Sequence, residues 1–329
     1  MSDHEGDSLE TLLAALRAFN AAPAADLAAS PRRGDTSNTQ DNSLGARTML
    51  EALNKFAGFR STPALEKKLS QVLRNTTHDE IKRLIERANS NDHQEIMAIV
   101  EDLTNHETFF FRDMMQFIPF RDVLMPEIIA YQKARGKRIR IWSAACSTGE
   151  EVYTLAVLAL HAMVKAGIAT WTSASGYHLH DSWSLEVIGT DISRQAVRRA
   201  RDGVYEESTF GAFRQTPEGW QREFFEASSG IGRNGQRSRF LSPLPSIKRH
   251  VRFDTFNLMS ANPPVLDCDL VVCRNVLIYL DNARHADIQT MLTRALRTGG
   301  VLIPSLVDQI QCRMLKTRWI DRCAFYEKL

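Results

Sequence analysis

The chain has 329 residues, 43% of them hydrophobic, with 41 Lys and Arg against 39 Asp and Glu, a formal charge of +2. That length exceeds one compact domain of about 100–200 residues, and the charge balance excludes bulk attraction to nucleic acid or insertion into a membrane surface. Five scattered cysteines (Cys146, Cys268, Cys273, Cys312, Cys323) form no CxxC pair and have no histidines at zinc spacing, so they read as free thiols of a reducing cytoplasm, with no metal site. The opening MSDHEGDSLE is too acidic for a signal peptide, and the longest apolar run, 152–164, is shorter than the ~20 residues of a membrane span.

In chain order, residues 8–19 (SLETLLAALRAF) put Leu9, Leu12, Leu13, Leu16 and Phe19 near one face, which predicts a short amphipathic helix. Residues 20–43 repeat no apolar period and read as a flexible linker, so 1–43 form a tail. From 44 to 105 the pattern is helical: about four helices, the second opening with Pro63 in its first turn. The segment 106–113 (HETFFFRD) then sets three aromatics between Thr108 and Arg112; core anchoring accounts for the phenylalanines but not for the polar residues around them. A helix over about 114–135 follows.

Residues 138–142 (RIRIW) predict a strand, 143–149 (SAACSTG) a turn of small residues, and 150–164 a long apolar helix. Ser147 with Glu150, and Thr148 with Glu151, stand in capping-box spacing. Strand, turn and helix make the first unit of a doubly wound α/β domain, whose ligand lies beyond the strand's carboxyl end. One glycine, Gly149, is too few for a dinucleotide fingerprint, there is no Gly-Lys-Ser/Thr for a P-loop, and two acids after the turn would repel phosphate. A phosphate-free cationic adenosine compound fits that turn better, S-adenosylmethionine being one; an ordinary turn without ligand is the alternative.

Residues 165–184 hold no period and read as an insertion loop; His178, His180 and Asp181 lack further ligands for a metal and read as solvated. A second strand over 185–191 ends in Asp191, an acid placed to accept ribose hydroxyls, and a helix over 192–200 follows. Residues 201–250 mix turns at Gly230, Gly232 and Gly235 with short strands near 238–241. Strands follow at 251–258, 268–273, 300–305 and 323–328, the second buried on both faces, with a helix over 282–296.

HETFFFRD (106–113), IWSAACSTGEEVYTLA (141–156), GTDIS (189–193), FNL (256–258) and CRNVLIYLD (273–281), in that order, resemble the CheR-type chemotaxis receptor methyltransferases. The resemblance implies an α/β fold: a class I methyltransferase (Rossmann-like) doubly wound sheet, with a small helical N-terminal domain (44–105) and a small β-subdomain inserted at about 220–250 of a methyltransferase domain (106–329). It implies S-adenosylmethionine as cofactor, S-adenosylhomocysteine as product, and the cytoplasmic domain of a methyl-accepting chemotaxis receptor as partner, methylated on glutamate in the cytoplasm. By resemblance His106, Thr108, Arg112, Ala144, Glu150, Asp191, Asn257, Leu258, Arg274 and Asn275 line the cofactor site. Arg274 and Tyr279 are the candidates to orient the substrate, Tyr279 reading equally well as a packing aromatic. The chain departs from the family at His106, where many members have Asn, and at 301–309 (VLIPSLVDQ). No nucleophile-base set is found, and an ionised glutamate needs none. A non-catalytic module that senses S-adenosylmethionine or scaffolds receptors is the alternative from another class.

Overall fold

The computed structural model describes residues 37–72, 107–180, 182–208, 211–232 and 235–329, with isolated positions 79, 82, 83, 86, 100 and 103. The helix expected at 8–19, most of the third and fourth helices expected before 105, His106 and Asp181 lie outside the described residues. The chain divides into two units, Met1–Asn105 with Tyr279–His285, and His106–Ile278 with Ala286–Leu329. Among the described residues no helix is long and apolar enough to cross a membrane.

In the first unit, α1 (Ser37–Ala57) buries Ala46, Met49, Leu50, Leu53 and Ala57 at helical spacing. It begins seven residues inside the stretch expected to be linker; the polar text of 37–43 has no apolar period to announce it. Gly58, at φ 71°, ends it in the left-handed conformation that glycine adopts without strain. The second helix, α2 (Pro63–Val72), starts with Pro63, and the Thr62 hydroxyl accepts from Leu65 N at 3.2 Å. Residues 279–285 are tied to α1: Asn54 Nδ2 donates to Asp281 Oδ2 at 2.9 Å, and Asp281 N to Gly58 O at 2.8 Å.

The second unit opens with α3 (Met114–Pro119), a π-helical turn (Phe120–Leu124) and α4 (Met125–Lys133), where the sequence predicts one continuous helix. The cause is proline, which has no N–H to give to the carbonyl four residues back. The carbonyl that Pro119 leaves open, on Met115, instead accepts from the Cys323 thiol at 3.4 Å. Then come β1 (Arg138–Ala144), α5 (Glu150–Lys165), β2 (Ala169–Thr172), β3 (Gly176–Leu179), β4 (Ser184–Asp191) and α6 (Arg194–Asp202). After them stand β5 (Tyr205–Glu206), α7 (Glu218–Phe224), β6 (Phe225–Ile231), β7 (Arg237–Pro243), the single turn α8 (Pro245–Lys248) and β8 (Val251–Thr255). The unit ends with β9 (Cys268–Cys273), α9 (Asn282–Ala295), β10 (Leu296–Pro304), β11 (Leu315–Ile320) and β12 (Cys323–Lys328).

Seven strands form the main sheet in the order β11-β12-β10-β9-β1-β4-β8. β8, β4, β1, β9 and β10 are parallel, and β12 runs antiparallel to its neighbours β10 and β11. Numbered within this sheet alone the order is 3-2-1-4-5-7-6, the doubly wound arrangement of class I methyltransferases. β1 lies at the switch point, between the strands that follow it and those that extend the other way, and a ligand of such a sheet sits beyond the carboxyl ends there. Every residue of β9 is buried, as its aliphatic run predicts.

Two stretches differ from the sequence reading. The insertion at 165–184 is not a loop but a hairpin, β2 pairing with β3 through Trp171 opposite Tyr177; each strand has only four residues, too few to display a period. Gly230 is no turn: it sits within β6, which pairs with β7 and, through it, β5 in a separate three-stranded sheet. The edge strand β11 (LKTRWI) went unpredicted: Leu315, Thr317 and Trp319 do alternate with Lys316 and Arg318, but over six residues none of which is fully buried.

Candidate active site at the carboxyl end of the sheet

Between β1 and α5 the backbone takes positive φ at Ala145 (64°), Ser147 (51°) and Gly149 (95°). Only the last is glycine, and there the need is double: a Cβ on Gly149 would lie 2.8 Å from Ala200 Cβ of α6. The helix starts at neither of the expected N-caps, Ser147 or Thr148. Gly149 is the N-cap with no side-chain cap, and the Thr148 hydroxyl turns forward to Glu150 Oε2 at 2.7 Å.

The turn is held from β4. Cys146 N donates to Thr190 O at 2.9 Å, and Ser147 N to Asp191 Oδ2 at 2.8 Å, while the other Asp191 oxygen accepts from Ser193 N at 2.9 Å. One buried carboxylate thus joins two loops at the switch point. Glu150, next along, is 4% exposed, and the Thr148 hydroxyl is its one side-chain partner among the described residues. Loss of water pushes its carboxyl up to about 7, against the partial pull of that hydrogen bond.

The aromatic segment packs as anchors should. Phe110 stacks on Phe213 at 4.8 Å and meets Tyr205 and Phe225 edge-on, Phe111 meets Trp220, and Phe111 N donates to the Thr154 hydroxyl of α5 at 3.1 Å. Thr108 is half-buried at the start of this segment. Arg112 donates to Glu107 O at 3.0 Å and lies over the Phe109 ring at 5.5 Å.

Arg274, the first residue past β9, is the hub. Its side chain is 1% exposed; it donates to Gln116 Oε1 (3.0 Å), Glu151 Oε2 (3.0 Å), Arg112 O (3.2 Å) and Asp113 Oδ2 (2.6 Å), and stacks over Phe117 at 4.6 Å. Gln116 passes the link on to Pro304 O at the end of β10, and Glu151 to the Ser143 hydroxyl. The guanidinium thereby ties β1, β9, β10, α5 and the 107–113 segment together.

Of the other expected residues, Ala144 ends β1, fully buried between Thr190 and Cys273 of the flanking strands. Asn257 Oδ1 accepts from Met259 N, shaping the exit of β8 beside half-buried Leu258. Asn275, at φ 56°, reaches the Ser305 hydroxyl at 3.5 Å. Tyr279 groups with the first unit, 42% exposed, its carbonyl accepting from Arg60 N. Sequence reasoning missed Glu151, Gln116 and Asp113 as partners of Arg274. The paired acids after Gly149 were a usable signal for Glu151; nothing in the sequence marks Gln116. His178 of the expected solvated pair lies on β3, its ring against Ser175 O at 3.0 Å.

Residues 106–313 match the family described as CheR methyltransferase, SAM binding domain. The chain belongs to the CheR methyltransferase family. Among its relatives is chemotaxis protein methyltransferase 1 of Pseudomonas aeruginosa, 31% identical over 65% of this chain and 73% of that protein. Another is the chemotaxis protein methyltransferase of Vibrio parahaemolyticus, 32% identical over 63% of this chain and 66% of that protein, so the chain spans about two thirds of these relatives. As a CheR methyltransferase it uses S-adenosylmethionine. The donor set at the sheet end fits that molecule: it offers buried acids, and among the described residues Glu150 pairs with no cation.

Proposed function

We propose that this CheR methyltransferase transfers the methyl group of S-adenosylmethionine to glutamate side chains in the cytoplasmic domain of a chemoreceptor, as a soluble enzyme of the cytoplasm. The observation that carries the reading is the family match over 106–313 together with relatives that are themselves chemotaxis methyltransferases.

S-adenosylmethionine, when bound, supplies an activated methyl on a sulfonium cation. The rest falls to this chain. Asp191, at the end of β4, would accept from the ribose hydroxyls. Glu150, buried beside the turn, would ionise against the cationic methionine end of the cofactor. Thr108 and Arg112, with Ala144, Asn257, Leu258 and Asn275, would line the cofactor site. Arg274 acts as a positioning residue: with its guanidinium committed to Glu151, Gln116 and Asp113, it fixes the wall against which donor and acceptor align.

A glutamate carboxyl, with its usual value of about 4.3, is already a nucleophile at neutral pH and needs no general base. The chemical demand is alignment of oxygen, methyl carbon and sulfur, which is a matter of holding reactants in place. Charge is neutralised as the methyl moves, so a site lined by fixed internal pairs, with little water, favours the step. The test is incubation with labelled S-adenosylmethionine and receptor-bearing membranes. Base-labile label on the receptor is expected; tight cofactor binding with no transfer to any receptor of the host would instead make the chain a sensing or scaffolding module.

A further inference from the structure

α6 packs Ala196, Val197 and Ala200 inward and carries Arg194, Arg198 and Arg199 on its solvent face. Among the described residues none of these three arginines pairs with a carboxylate. Arg201, at the edge of the buried side, differs: it donates to Phe253 O and reaches Asp254 at 3.2 Å. The arrangement works against the helix. Arg194 stands at the positive end of the helix dipole with no acid in the first turn, and Arg194 and Arg198 repel at i,i+4 spacing. Basic residues in the last turn are explained by the dipole; Arg194 and Arg198 are not. Cations retained against local preference, in a chain of net charge +2, mark a surface under some other requirement.

The face also says what it suits. It presents no apolar or aromatic side chain, so it has nothing to insert into a bilayer or to stack on bases. Arg194 and Arg198 stand one helical turn apart, a spacing that an acidic helix matches with carboxylates at the same interval. The helix starts just past Asp191, so its arginines flank the candidate active site rather than the opposite end of the sheet.

We infer that the Arg194–Arg198–Arg199 face of α6 docks an acidic helical segment of the methyl-accepting protein, beside the glutamates that are methylated. This inference rests on the proposed substrate class. Electrostatic docking of this kind raises the rate of productive encounter and weakens with salt. The experiment compares the full chain with its Arg194→Gln/Arg198→Gln/Arg199→Gln variant on a purified soluble receptor fragment, at low and at physiological salt. The variant is expected to lose roughly tenfold in kcat/KM at low salt and most of the salt dependence, with kcat, cofactor affinity and melting temperature unchanged. Equal kcat/KM and equal salt dependence would overturn the inference. So would a variant that methylates the fragment normally but no longer binds protein-free anionic vesicles, which would assign the face to lipid. A parent chain that transfers no methyl to the fragment refutes the substrate reading itself, and the docking surface with it.

Discussion

Replacing Glu150 by Gln should remove a pH dependence that burial builds into this chain. The carboxyl is 4% exposed and its value rises from the usual 4.5 to about 7, chiefly through loss of water. In the pH window between those values the folded chain binds more protons than the unfolded one, so stability is greatest at the acid end and falls as pH rises through about 7. The gap corresponds to roughly 3 kcal/mol at most. His250 works in the opposite direction: desolvation lowers its value from 6.5, so the unfolded chain binds the extra proton and stability rises with pH up to that value. The difference between wild type and Glu150→Gln cancels the histidine and isolates the glutamate. The assay is urea unfolding followed by tryptophan fluorescence from pH 4.5 to 8; all five tryptophans, Trp142, Trp171, Trp183, Trp220 and Trp319, lie in the second unit and report it. Wild type should lose up to about 3 kcal/mol relative to the variant across that window. Calorimetry should show cofactor affinity rising with pH through about 7 in wild type, with proton release, and a weaker, pH-flat affinity in the variant. Parallel stability profiles for the two proteins would refute the reasoning.

Asp191→Ala should lower S-adenosylmethionine affinity about tenfold or more, since bonds to a charged acceptor are worth ~1.5–3 kcal/mol each; calorimetry measures it, and the free Ser147 and Ser193 amides should also lower the melting temperature. Arg274→Met should cost about 3–5 kcal/mol in denaturant unfolding, because Glu151 and Asp113 lose the cation between them. Gly149→Ala should destabilise by about 1–3 kcal/mol, from its φ of 95° and the 2.8 Å approach to Ala200, visible as a lower melting temperature.

The parallel core of the sheet was legible because its signals are local. β1, β4 and β9 carry β-branched runs ending in small or polar residues, and Gly149 marks a turn that another side chain could not make. The site was legible in part. Asp191 and Glu150 follow strand and turn directly, so position in the chain announces position in space. Gln116 does not: it meets Arg274 across 158 residues, through the π-helical turn and the sheet order, and no sequence period encodes such a contact. Arg274 itself was placed at the correct strand end, but its pairing depends on two acids supplied by other elements. The hairpin at 169–179 and the edge strand β11 escaped for a different reason, being too short, and in β11 too exposed, for their alternation to stand out.

The account's central claim is glutamate methylation of a chemoreceptor, and peptide mass spectrometry of a receptor fragment after incubation with the chain and S-adenosylmethionine tests it most directly. The expected result is a single added methyl on glutamate side chains, lost on mild base treatment and absent when those glutamates are replaced by alanine. Methyl groups found on lysine, arginine or a terminus, or a fragment left unmodified while the cofactor binds, would contradict it.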